Sequence, residues 1–145
     1  MRYDEVELGD DLPTETPDVS LERVKRFVQA ANMDFPRFTD SEQARREGLP
    51  GAIMPGIMGM GLIAAMIHRW APGCRILKLD TVFRSPVLVG SQPRCTGAVT
   101  DTNDDTSTVE VDVTVVADNG QTCIVGTATV AFADVPASPP PRPPS

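Results

Sequence analysis

The chain is short of the residues that carry most recognisable chemistry. In 145 residues it has one histidine, one tryptophan, one tyrosine and three cysteines. The cysteines, Cys74, Cys95 and Cys123, are odd in number, show no C-x-x-C spacing and sit in apolar or strand-like surroundings. That pattern suggests neither a disulfide framework nor a zinc site, and it fits a reducing cytoplasm. Basic charge is also scarce: 13 lysines and arginines face 20 aspartates and glutamates, a formal net charge of −7. Nucleic acid, which wants a basic face, is therefore not the expected partner. Residues Met1 to Asp18 are acidic and lack an apolar core segment, so no signal peptide is expected. No apolar run reaches the roughly 20 residues of a bilayer span, and no internal repeat is visible. The length fits one domain with a single core.

What is present is concentrated in one stretch. From Pro55 to Ile67 the sequence P-G-I-M-G-M-G-L-I-A-A-M-I carries almost no polar side chain before His68-Arg69-Trp70 closes it. A helix apolar on every face has to be enclosed, so this is the expected central buried helix. Gly59 and Gly61 inside it each cost about 1 kcal/mol relative to alanine. Either a neighbouring strand fills the space beside them, or something approaches that backbone closely.

The rest of the chain supplies material to cover such a helix. Leu21, Val24, Phe27, Val28 and Ala31 recur at helical spacing after Asp18-Val19-Ser20, predicting an amphipathic helix from about Ser20 to Met33. Pro36 lies beyond its end, and Thr39-Asp40-Ser41 caps a short helix from Glu42 to Glu47 that Gly48 stops. After Ala71-Pro72-Gly73 the period changes from 3.6 to 2, with strands expected over Ile76 to Phe83, Cys95 to Val99, Val109 to Val115 and Thr127 to Phe132. Asp118-Asn119-Gly120 is a hairpin signal. Helices first and strands after predict an α+β domain over residues 1–134, an antiparallel sheet covering one long helix. The proline-rich residues 135–145 are expected to form a disordered, polyproline-like tail.

A sheet wrapped around one apolar helix is the hot-dog fold, and five phrases add a family resemblance. In order they are V-E-L-G-D-D-L-P, V-K-R-F-V-Q-A-A, G-A-I-M-P-G-I-M-G-M-G-L, V-F-R-S-P-V-L-V-G-S and D-N-G-Q-T-C-I-V-G-T-A-T-V. From about Tyr3 to Phe132 the chain resembles the MaoC-like (R)-specific enoyl-thioester hydratases and dehydratases. The resemblance implies an acyl-CoA or acyl-carrier-protein thioester as ligand, pairing of two sheets edge to edge, and neither metal nor cofactor. It also implies that the amide at Gly56, where the central helix starts, polarises the thioester carbonyl.

The family's signature D-x-N-P-[apolar]-H departs at the decisive positions. Its Asp and His move the protons when water is added across the double bond. Aligned on Pro36, the aspartate position is Met33, the asparagine position Phe35 and the histidine position Phe38. Shifting the register by one offers Asp34 but no histidine. His68 lies about 18 Å along the central helix from Gly56 at 1.5 Å per residue. A hot-dog domain with an erased dyad resembles the non-catalytic subunit of heteromeric dehydratases, whose partner carries the dyad. Met33, Phe35, Phe38, Met54, Met58 and Met60, with Gly56 and Gly59, are then the expected substrate-binding wall. Two alternatives stand beside this expectation. One is a stand-alone enzyme, such as a dehydratase-like cyclase or isomerase, using Asp34, Arg37 or Asp40 as its polar groups. The other is a homodimeric binder of acyl ligands without chemistry.

Overall fold

The computed structural model describes residues 1–132. The tail expected over residues 135–145 lies outside the described residues, as do the last two positions of the expected domain.

Helix α1, Leu21–Ala30, begins where the Ser20 hydroxyl accepts the Arg23 amide at 3.4 Å, and it buries Val24 and Val28. It ends three residues short of the expected Met33. Asn32 takes a positive φ of 55°, and the Met33 amide reaches back to the Val28 carbonyl at 2.7 Å. Asparagine tolerates that left-handed conformation, so the chain turns there before the apolar spacing runs out. A single 3-10 turn, Pro36–Phe38, leads into α2, Ser41–Arg46, which the Asp40 carboxylate caps by accepting the Glu42 and Gln43 amides at 3.0 and 3.2 Å.

Helix α3, Gly56–Trp70, is the expected central helix. It lies against an antiparallel sheet of β1, Arg75–Phe83, β2, Arg94–Asn103, β3, Thr108–Val116, and β4, Thr122–Ala131, in spatial order β1-β4-β3-β2. Alternation decides the faces: Val109, Val111, Val113 and Val115 of β3 point into the core, while Glu110, Asp112 and Thr114 do not. Strand β4 starts five residues before the expected Thr127. The Asp118-Asn119-Gly120 turn, with Gly120 at φ 87°, launches it directly, and Gly126 hides the alternation in its middle. A side chain at Gly126 would run into the carbonyl oxygen of Asp80 on β1, so glycine there lets the two strands pair.

The two sheet edges are treated differently. Beside β2 the N-terminal segment acts as an irregular fifth strand, with Leu12 donating to Gly97 at 2.8 Å and Cys95 donating to Glu15 at 2.7 Å. Among the described residues nothing pairs with the outer edge of β1, which exposes Leu77, Val82 and Phe83. Helix α3 is likewise covered on one side only. Gly59, Ile63, Met66 and Ile67 are buried, whereas Ile57 is 57% exposed and Gly61 is open. The expectation of full enclosure is thus not met within one chain. One four-stranded sheet and α1 reach around part of the helix's circumference, and the rest faces outward.

The far end of α3 is pinned by charge and aromatic packing. Arg69 Nε donates to the two Glu15 oxygens at 2.9 and 3.1 Å. The Trp70 ring meets Phe132 edge-on at 5.8 Å.

Substituting Gly126→Ala is expected to cost about 1 to 3 kcal/mol through overpacking against β1. Gly61→Ala, whose Cβ meets nothing within 4 Å, is expected to stabilise by up to about 1 kcal/mol. Urea midpoints of the two variants check both signs. Hydrogen bonds from Arg69 hold the Glu15 carboxyl below its ordinary value of 4.5. A depressed carboxylate contributes stability above its unfolded pKa and loses it as pH falls through the native one. The stability difference between the wild-type chain and Glu15→Gln should therefore be full above pH 4.5 and close on acidification below it. An undiminished difference at about pH 3 would refute that account.

Candidate functional site at the amino end of the central helix

The first amides of a helix have no acceptor within it. In α3 those of Gly56 and Ile57 follow Pro55, whose own carbonyl takes the amides of Met58 at 3.0 Å and Gly59 at 3.3 Å. A cleft of about 370 Å³ opens beside this end. Ile53, Met54 and Gly56 form one wall, the run from Phe83 to Val87 the other, and Ile124 of β4 the base.

The walls are held by the backbone. Arg84 and Ser85 amides both donate to the Cys123 carbonyl, at 2.8 and 3.3 Å, and Met54 donates to Val87 at 2.8 Å. Gln121 Nε2 donates to the Ser85 hydroxyl at 2.8 Å. The Phe83 ring lies so close to Gly56 that an added Cβ would sit 3.0 to 3.3 Å from three of its carbons. Glycine at the helix start therefore leaves room for that ring.

The structure scatters part of the sequence-derived set and gathers part. Met54 and Gly56 line the cleft. Met33 is half-buried, Phe38 buried and Phe35 exposed, and the two phenylalanine rings meet edge-on at 6.3 Å. Their turn adjoins the cleft, because Ile53 donates to the Arg37 carbonyl at 3.1 Å, but none of the three lines it. Asp34 is exposed. Arg37 pairs with Glu47 at 3.2 Å, and Asp40 is occupied as the α2 cap. Gly59 packs under Ile124 and Met54, Met60 is half-buried along α3, and Met58 faces a different cleft. His68 is exposed at the opposite end of the helix, its Nδ1 3.7 Å from Cys74 Sγ.

Arg84 and Ser85 are the polar side chains of the cleft lining, and the residue spacing did not single them out. Their signal was a charged and a hydroxyl residue together inside the apolar phrase V-F-R-S-P-V. A permanent guanidinium, a hydroxyl and free helix amides can orient a carbonyl or hold an anion. Adding water to a double bond also needs a group that takes and returns a proton near neutrality, and among the described residues no carboxylate or imidazole lines the cleft. The cysteines do not supply one. All three are buried, and burial pushes the Cys95 thiol up to about 11 and raises those of Cys74 and Cys123. Among the described residues no cluster of histidine, cysteine and carboxylate side chains is placed to hold a metal ion. No described helix is long and apolar enough to cross a membrane.

A four-stranded antiparallel sheet carrying one long helix, with a cleft at that helix's amino end, defines the chain as a hot-dog domain. It belongs to the MaoC-like domain family, whose model matches residues 6–121. Among solved structures it is similar to a MaoC-like dehydratase at 27% identity and a TM-score of 0.84, over 91% of this chain and 42% of that one. It is also similar to the (R)-hydratase of A. caviae involved in PHA biosynthesis, at 18% identity and a TM-score of 0.83, over 88% of this chain and 98% of that one. The ChsH1-ChsH2 complex of Mycobacterium tuberculosis gives 18% identity and a TM-score of 0.80, over 88% and 99%. No curated protein matches the sequence.

The thiols supply a test of the burial described above. In native protein at pH 8 or so, the three cysteines should react with a thiol reagent orders of magnitude more slowly than in denaturant. Fast labelling of Cys95 in the folded chain would contradict its place between the N-terminal segment and the core.

Proposed function

We propose that this chain is the substrate-binding, non-catalytic member of a pair of MaoC-like subunits that together act as an enoyl-thioester hydratase or 3-hydroxyacyl-thioester dehydratase. The observation that carries this is the composition of the cleft beside Gly56. It keeps what would orient an acyl thioester, namely the helix amides, Arg84 and Ser85, and among the described residues it lacks a side chain to move protons. The turn where the family places its dyad carries Met33, Phe35 and Phe38 instead.

Two further features favour a partner. The nine-residue strand β1 has no partner on its outer edge among the described residues and exposes Leu77, Val82 and Phe83, and β-edges of that length are normally paired or protected. Phe83, the last residue of β1, is more than half exposed and lines the cleft, so a subunit docked on β1 would reach the cleft's mouth. The partner's own Asp and His would then do the proton transfers, while this chain shapes the acyl site.

Purified alone, the chain is expected to leave 2-enoyl-CoA unhydrated, and turnover is expected to appear on mixing with a dyad-bearing MaoC-like subunit. In that assembly Arg84→Ala should raise KM about tenfold with little change in kcat, as loss of one charge-assisted hydrogen bond made equally in ground and transition states. Hydration by the single chain, measured by loss of the enoyl-thioester absorbance, would sink the proposal.

A further inference from the structure

The fold accounts for one of the two glycines inside α3 and not for the other. A Cβ at Gly59 would press on Ile124 at 2.5 Å and Met54 at 3.1 Å, so packing keeps that position bare. A Cβ at Gly61 would meet nothing within 4 Å. A glycine in mid-helix costs about 1 kcal/mol relative to alanine, and no packing among the described residues offsets that cost.

Gly61 lies on the floor of a second cleft, about 350 Å³, between α1 and α3. Met58 and Leu62 flank it, Phe27 forms the facing wall, and Arg23 and Arg26 stand at the rim. The volume falls within the range of small-molecule sites, which combine an apolar body with a few polar groups. Positions 23, 26 and 27 share one face of α1 because they are three and four residues apart. In a chain of net charge −7, α1 carries Arg23, Lys25 and Arg26 against Glu22 alone. Arg26 shares its charge with Glu22 at 2.7 Å on the exposed surface, a pair that a stronger anion can displace. Asp18 lies near enough to feel both arginines, but its carboxylate is engaged with the Ser20 amide at 2.9 Å.

We infer that the cleft between α1 and α3 is a second binding site, for an amphiphilic anion. Its apolar body lies against the bare backbone at Gly61, between Phe27 and Leu62, and its phosphate or carboxylate head is held by Arg23 and Arg26. Guanidinium forks match both head groups. The head can belong to a free fatty acid or to a single-chain alkyl phosphate, in which head and apolar body are directly joined. The site stands on the side of α3 lined by Met58, apart from the cleft at Gly56.

Methyl-labelled methionine in the full chain makes the test local, because Met58 reports on this cleft and Met54 on the one at Gly56. Decanoate and decyl phosphate serve as probes, one for each source of the head group. The expected result is a saturable shift of the Met58 signal with one of them. Binding should weaken roughly tenfold or more in Arg23→Gln/Arg26→Gln and also in Gly61→Leu, which fills an open floor with a good helix former and leaves the fold intact. The inference is overturned if neither probe moves Met58, if only Met54 responds, or if both variants bind as the parent does. It is also overturned if Met58 responds to protein concentration and Gly61→Leu reduces the assembly size, for the cleft is then a face between copies of the chain.

Discussion

The structure depends on one obligation: a fifteen-residue helix with almost no polar side chain has to be kept out of water. Its buried side, from Met58 through Ile63 to Ile67, meets a sheet whose inward positions on β3 are four valines in alternation. Burying such side chains contributes about 1.5 to 3 kcal/mol each, the largest favourable term available to a domain of this size. Everything polar in the helical layer is arranged around that burial. Ser20 and Asp40 cap helices at its margin, and the Glu15–Arg69 pair ties the N-terminal segment to the helix's far end.

The same obligation explains why the fold looks unfinished along one flank. The N-terminal segment covers the β2 edge, but among the described residues β1 has β4 on one side and no partner on the other. Phe83, at the end of β1, lies against Gly56 at the start of α3 and lines the cleft, so the end of that strand and the cleft mouth adjoin.

Chemistry at the amino end of α3 follows from what surrounds it. Helix amides and an arginine stabilise negative charge by position alone, whatever their pKa, so that function survives replacement of every titratable neighbour. Proton transfer does not, since it requires a side chain that changes its protonation. The turn from Met33 to Phe38 beside the cleft carries methionine and two phenylalanines, whose rings pack on each other edge-on.

Local signals in the sequence determined the elements: apolar spacing marked α1, the unbroken run marked α3, alternation marked the strands, and Asp40, Gly48 and Asn119-Gly120 marked their ends. Through the family's signature they also gave the expectation that Met33 and Phe38 occupy the positions of its Asp and His. These are properties of near neighbours in the chain, which period and capping chemistry make legible. Contacts across the fold decided the rest. Arg84 and Ser85 became cleft residues because Cys123, nearly forty positions away, holds their amides. Gly59 and Gly61, two residues apart and alike in sequence, separated into a packed position and an open one because only Gly59 faces β4. Which side of an apolar helix is covered depends on where the sheet passes, and no pattern within the helix itself records that.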